Sequence, residues 1–426
     1  MQTRCLWHAT SVEAEPQCAP FQGEISAQVA VIGGGITGLS TALHLAEQQI
    51  SVVLVEAGDI PTGGSGRNVG LVNAGLWIPP DDIKQVLGAA DGERATQLLS
   101  QAPAAVFDLI ERHHIECHHT RTGTLHLAHN GKGVDDLRRR FDQWQKLEAP
   151  VELLEGEDCW QRVGSRQVPA ALLDRRAGTI NPAAYTRGLA RAAQAAGAQL
   201  FTQTPATGLK QEGDRWCVQT THGEIKADRV VLATNAYTED HWNQVKDHFF
   251  RGHFFQVASN PLPEALLADI LPERQGCWDT RTVLSSLRLD HEGRLILGSL
   301  GSGDAKPEAF IRCWADRIAE HYFPSFKHRQ WQYCWTGSIG FTPDHMLRLF
   351  EPAPGLLGVT GYNGRGVTTG TVVGRGFAQY LVSGDDSGLP LPIRQAHEVS
   401  IPRLRGLAYD SAFALYHTGQ CLRLVA

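Results

Sequence analysis

No stretch of this 426-residue chain stays apolar for the roughly 18 residues that a membrane-crossing helix requires, so no helical span is expected. A long basic run is also missing. With a net charge of −6, nucleic acid drops out of the expected partners. The nine cysteines stand singly, as at Cys5, Cys18, Cys117, Cys217 and Cys334, without one C-x-x-C pair. That predicts reduced thiols rather than a disulfide frame or a thiolate metal site. His113-His114 and His118-His119 cluster among 18 histidines, but they read as a solvated helix end, and no metal is expected. Met1 to His8 lacks an apolar signal core, which predicts a cytoplasmic protein. Neither an internal repeat nor a low-complexity tract appears.

What the chain does have is an ordinary globular balance, 42% apolar and 20% charged, and length for two or three domains. Its organising stretch runs from Val29 to Glu56. The apolar run Val29-Ala30-Val31-Ile32 ends in Gly33-Gly34-Gly35-Ile36-Thr37-Gly38. A helical segment follows, then Val52-Val53-Leu54-Val55 and Glu56-Ala57. Strand, glycine turn, helix, strand and acid in this register predict a dinucleotide site. Gly33 permits the turn, Gly35 lets a pyrophosphate approach the backbone, and Gly38 lets the helix pack close to the sheet. The helix N-terminus offers N–H groups and a positive dipole end. Glu56 stands where a ribose-binding carboxylate belongs.

Residues 1–27 read as an arm with Pro16, Pro20 and Gly23. The loop Gly63 to Gly75, containing Ser65-Gly66-Arg67-Asn68-Val69-Gly70-Leu71, suits backbone that approaches a flat ligand. Helices are expected over 80–150, with a strand at 122–128 between them. Asn181 and Pro182 open a helix to Ala196, and a meander leads to a strand ending in Ala233-Thr234-Asn235-Ala236. Residues 250–300 read as strands, including 282–287 and a hairpin about Asp290-His291-Glu292-Gly293. A helix covers 310–322. Trp335 to Asp344 reads as turn-rich, with Gly337 in it. The strand 355–360 runs into Gly361-Tyr362-Asn363-Gly364-Arg365-Gly366-Val367-Thr368, a third glycine loop opening a helix.

In this order, these motifs resemble the FAD-dependent D-amino-acid-oxidase-like superfamily, the group that includes glycine and sarcosine oxidases. The likeness runs from about Val29 to Leu381. Ser65-Gly66-Arg67-Asn68 and Gly361-Tyr362-Asn363-Gly364 look most like γ-glutamylputrescine oxidases and bacterial L-pipecolate oxidases. Leu173 to Pro182, Trp278-Asp279-Thr280-Arg281 and Leu415-Tyr416-His417 lean toward the latter. The resemblance implies an α/β, Rossmann-like FAD-binding domain (1–85, 165–240 and 331–426). A second, α+β substrate domain with an antiparallel sheet would take 86–164 and 241–330. It implies FAD along Gly33 to Gly38, Glu56, Ala57, Ser65 to Leu71, Ala233, Thr234, Gly337 and Gly364 to Thr368. With no His or Cys in the 64–70 loop, that FAD is expected to be non-covalent.

The implied reaction oxidises a C–N bond of a small amine or amino acid, with hydride passing to flavin N5 and O2 or a respiratory acceptor taking the electrons. Tyr362, Trp335, Phe341 and Phe254 or Phe255 are expected to line the substrate pocket. A carboxylate anchor must be found elsewhere than in the group's usual Lys, because Thr368 stands at that position, and no Arg is matched at Thr342. Among Arg67, Arg281, Arg288 and Arg365, Arg281 is the first choice and Arg365 the next, with Arg288 placed on a solvated hairpin end. A γ-glutamyl polyamine substrate, an NAD-dependent dehydrogenase and a non-catalytic dinucleotide-binding protein remain as alternatives.

Overall fold

In the computed structural model, residues 5–239, 242–304, 306–327, 330–394 and 398–424 are described. The strand Gly23–Ile32 lies between two parallel neighbours, Gly223–Leu232 and Val52–Val55. A strand covered on both faces reads as a continuous apolar run rather than an alternation, which is what Val29 to Ile32 shows. Gln199–Phe201 and Leu356–Thr360 extend the parallel sheet on either side, and Arg348–Ala353 closes one edge antiparallel. The meander Ala206–Glu212 and Arg215–Thr220 hangs off Gly223–Leu232. Helix Ile36–Ala46 packs against helices Pro182–Ala195 and Gly366–Ser383, burying Leu39, Leu43, Leu189, Val373 and Phe377 with them. The contact needs glycine: a Cβ on Gly374 would sit 2.6 Å from Ser40 Cβ.

The second sheet also has eight strands, in the order Trp331–Phe341, Phe250–Pro261, Arg294–Leu300, Ser285–Leu289, Gly276–Asp279, Thr124–Leu127, Ala170–Asp174 and Val151–Glu155. Its pairs are antiparallel except Gly276–Asp279 with Thr124–Leu127. Helix Glu308–Tyr322 lays Trp314 and Ile318 onto Phe255 and Leu297. The α/β nucleotide unit with a second, largely antiparallel layer is therefore the architecture. Strands Ala170–Asp174 and Trp331–Phe341 belong to the second sheet, so boundaries at 165 and 331 cut through it.

Three further expectations are corrected. Residues 335–341 are strand, not turn: Trp331, Tyr333 and Trp335 alternate with less buried neighbours, a period-2 signal that the glycines and threonines obscured. Residues 280–283 are a bend, and the strand starts at Ser285. The Asp279 carboxylate accepts from Arg281 N and Ser285 N, both at 3.1 Å, and so holds the chain in a turn. The N-terminal arm gives way to strand at Gly23 rather than after residue 27. Leu6–Ala9 is a helical turn whose Leu6 and Trp7 are fully buried; the arm's first four residues lie outside the described residues.

Candidate active site

Gly33 has φ +113°, and a Cβ there would stand 2.9 Å from Ala233 O, so the first glycine turn presses on the Ala233-Thr234 crossover. At the end of its strand, Glu56 accepts from Gly34 N (2.7 Å) and Gly58 N (3.0 Å). Ser65 Oγ accepts from Ile36 N (3.0 Å) at the helix start. These groups open one end of a cavity of about 680 Å³. Its lining passes Glu56, Ala57, Gly33, Gly34, Gly35, Ile36, Thr37, Ser65, Asn68, Val69, Leu71, Ala233 and Thr234, reaches Gly364 to Thr368, and continues past Trp77, Phe254, Phe255, Trp278 and Arg281. The three glycine loops thus converge on one space. Gly38, Gly66, Arg67, Gly70 and Gly337 stand behind that lining.

The loop 64–70 is held from the rear. Arg67 O accepts from Trp335 Nε1 (2.8 Å) and Gln256 Nε2 (3.3 Å). Asn68 O accepts from Trp7 Nε1 (2.8 Å). Val69 O and Gly70 O accept from Arg288 Nη1 at 3.0 and 3.1 Å. In a trans peptide C=O and N–H point opposite ways, so fixing Asn68 O behind the loop turns Val69 N–H toward the cavity. Two expectations change here. Trp335 is no pocket wall; its ring meets Trp7 edge to face at 6.0 Å and braces the loop. Arg288 is not on a solvated end but buried over the Trp7 ring at 5.0 Å. Burial pushes its pKa down to about 10, which still leaves it charged at neutral pH.

Arg281 and Arg365 behave differently. Arg281 Nη1 donates to Asp279 Oδ2 (2.6 Å) and the Tyr322 hydroxyl (2.8 Å), with Asp279 completely buried. Its charge is neutralised within the wall, which does not fit a carboxylate anchor. Arg365 faces Trp278 at 4.9 Å and Trp77 at 5.4 Å, and its Nε and Nη1 are buried without a hydrogen-bond partner. Burial, then Arg140, lowers its pKa to about 9 against the pull of Asp174. Trp278 also stacks on His126 at 4.9 Å; burial drives that imidazole well below its usual range, so it is neutral. The Tyr362 hydroxyl lies 2.6 Å from Thr37 Oγ1, tying the third glycine loop to the first helix, and Thr368 Oγ1 donates to Asn73 O (2.9 Å).

Residues 28–380 match the FAD dependent oxidoreductase (DAO) family. The chain belongs to that family. It is 29% identical over 390 residues to the probable oxidoreductase OrdL of Rhizobium meliloti, covering 90% of each chain. It is 29% identical over 372 residues to the gamma-glutamylputrescine oxidoreductase of Escherichia coli K12, covering 85% of this chain and 86% of that one. Among solved structures, the glycine oxidase of Geobacillus kaustophilus superimposes with a TM-score of 0.69 at 20% identity, over 84% of this chain and 95% of that one.

FAD fits the family's site in this chain. The cavity is long, the first and third loops present helix starts to it, and Gln256 Oε1 and Arg365 leave buried polar atoms unmatched beside it. An NAD-dependent or non-catalytic reading falls with the family assignment. Sequence reasoning missed Trp7, Trp77 and Gln256 and gave Trp278 no role. A single Trp or Gln carries no local signal, and Trp7 meets its loop across 61 residues of sequence.

Proposed function

We propose that this flavoprotein oxidises the C–N bond of a small secondary amino acid of the L-pipecolate kind, giving a cyclic imine. The observation that supports this reading is Arg365, a buried guanidinium with unmatched donors in the cofactor cavity. Buried charge is retained mainly when paired, and a planar fork suits a carboxylate. FAD, held non-covalently, supplies the hydride acceptor when bound. Arg365 fixes the substrate's carboxylate end, while Trp77 and Trp278 keep water from that pair. A guanidinium disfavours a second cation beside it, so the amine enters unprotonated, with its lone pair free to assist loss of hydride from the adjacent carbon. Phe254 and Phe255 give the ring an apolar wall, and Tyr362 stays a neutral phenol because burial raises its pKa. The Cys5 thiol beside the loop is pushed up to about 12 by burial, too weak a nucleophile to tether a flavin.

A longer substrate such as a γ-glutamyl polyamine is the second reading. It is supported by the Escherichia coli relative and by the cavity's extension to Leu300, Tyr409 and Phe413. Anaerobic mixing with L-pipecolate, D-pipecolate, sarcosine, L-proline and γ-glutamylputrescine separates the two, with flavin bleaching as the signal. Fastest bleaching by L-pipecolate is expected. Faster bleaching by γ-glutamylputrescine selects the second reading, and bleaching by piperidine as fast as by L-pipecolate removes the carboxylate anchor. Admitting oxygen afterwards and assaying peroxide identifies the acceptor.

A further inference from the structure

Helix Pro402–Cys421 has two apolar faces. Its inner face seats Gly406, Phe413 and His417 toward the strand Phe250–Pro261 and Gln420 against helix Glu308–Tyr322, and Tyr409 and Phe413 reach the cavity wall. The approach is close: a Cβ on Gly406 would lie 2.4 Å from Arg251 O. The outer face is the unusual one. Leu404, Leu407, Leu415 and Leu422 are 58–75% exposed, and most of the exposed large apolar side chains among the described residues fall between 401 and 424. At about 100° per residue these four, with Ser411 and Thr418, form one outward ridge. Arg405 stands on one flank of it and Arg403 on the other, and Arg423 follows just past the helix end, where the chain turns left-handed at φ +60°. The helix has one acid, Asp410, which turns back to His253 Nδ1 at 2.6 Å.

We propose that this ridge is the surface by which the protein lies on an anionic lipid bilayer. An apolar ridge edged by arginines matches acyl chains below a layer of negative headgroups. The charges oppose a second copy of the chain as the occupant. In an antiparallel two-fold pairing the Arg405 flank meets itself. There like charges face each other with no acid on the ridge to separate them. No helix among the described residues is long and apolar enough to cross the membrane, so the helix rests on the surface. The wall formed by Tyr409 and Phe413 then stands about one helix diameter, roughly 10 Å, from the lipid.

Co-sedimentation of the FAD-loaded protein with phosphatidylcholine vesicles, with and without phosphatidylglycerol, tests this. The wild type is expected to bind the anionic vesicles at least about ten-fold more tightly, and to lose that preference in high salt. The combined change Leu404→Ser, Leu407→Ser, Leu415→Ser and the pair Arg405→Glu, Arg423→Glu should each lose about ten-fold or more of the binding. Their flavin spectra and melting temperatures should stay at wild-type values; if the triple change disturbs folding, Leu415→Ser alone carries the test. Absence of wild-type binding overturns the proposal, as does binding that survives in both variants. A wild-type dimer in sedimentation velocity that the serine variant dissolves would give the ridge to a second copy instead.

Discussion

At the scale of single residues, two buried arginines of similar exposure have opposite states, and partner chemistry rather than burial tells them apart. Arg281 has Asp279 and Tyr322; Arg365 has two indole faces and unmatched nitrogens. Arg365→Met should raise KM for an amino-acid substrate roughly ten- to a hundred-fold, the equivalent of about 1.5–3 kcal/mol of charge-assisted hydrogen bonding. KM for the matching amine without a carboxylate should hardly move; an equal rise for both would assign Arg365 to the fold instead. Arg281→Met should act on stability. It strands the Asp279 carboxylate in the wall, which costs about 3–5 kcal/mol, while KM in the protein that still folds stays near wild type. Thermal melting beside steady-state kinetics separates the two arginines, and adding Asp279→Asn to Arg281→Met should recover part of the lost stability. The sequence put both arginines on the short list with Arg281 first; the proposed anchor reverses that order. Asp279 is only two positions from Arg281, but an i, i+2 pair faces together only in a strand or turn, and the bend at 280–283 was not legible.

At the scale of elements, the first nucleotide unit was legible because all its determinants are local: an apolar run, glycines at fixed offsets, a helix start and an acid after the second strand. The same holds for helix Pro182–Ala195, whose Asn181 side chain accepts from Ala183 N and Ala184 N as a cap should. What was not legible depends on distant contact. Nothing in the first ten residues marks Leu6–Ala9 as part of the site. It becomes one because Asn181 Nδ2 holds Trp7 O at 3.1 Å and Trp7 Nε1 holds Asn68 O. Helix Pro402–Cys421 escaped for another reason: its apolar residues fall on two opposite faces, so no single apolar stripe marks the period. The arm's role predicts that Trp7→Phe, which keeps the ring and removes the donor, weakens FAD binding by about five-fold, the value of one hydrogen bond near 1 kcal/mol. Fluorescence quenching on adding FAD to apoprotein measures this directly. Unchanged affinity, with the visible flavin bands unshifted, would leave Trp7 a packing residue only.

At the scale of the whole molecule, the buried histidines set how stability responds to acid. His126 stacks on Trp278, and burial holds it far below its ordinary pKa. His417 is fully buried between Ser299 Oγ (3.0 Å) and Lys306 Nζ (3.1 Å); burial and then Lys306 lower it to about 3. Ser299 also donates to Leu284 O, so His417 donates through Nε2 and accepts from the lysine at Nδ1. In the unfolded chain each imidazole binds a proton near pH 6.5, but in the folded protein neither does until far lower. Between those values the unfolded state carries more protons, so stability rises with pH and is lost as the pH falls from about 6.5 toward 3. His417 adds a slope of about 1.4 kcal/mol per pH unit in that window, and His126 acts in the same sense as the pH falls below 6.5. Lys306, brought down to about 8 by burial, acts in the same sense higher up: stability increases from about pH 8 toward the unfolded lysine value near 10.5. Chemical denaturation of the holoprotein at a series of pH values should therefore show a falling acid limb that starts near neutrality. His417→Gln keeps a polar group of similar reach and cannot take up the proton, so it should flatten that limb by about one proton's worth below pH 6.5. A parallel limb in the variant would mean that His417 is protonated in the folded protein. It would then stand as an imidazolium beside the Lys306 ammonium.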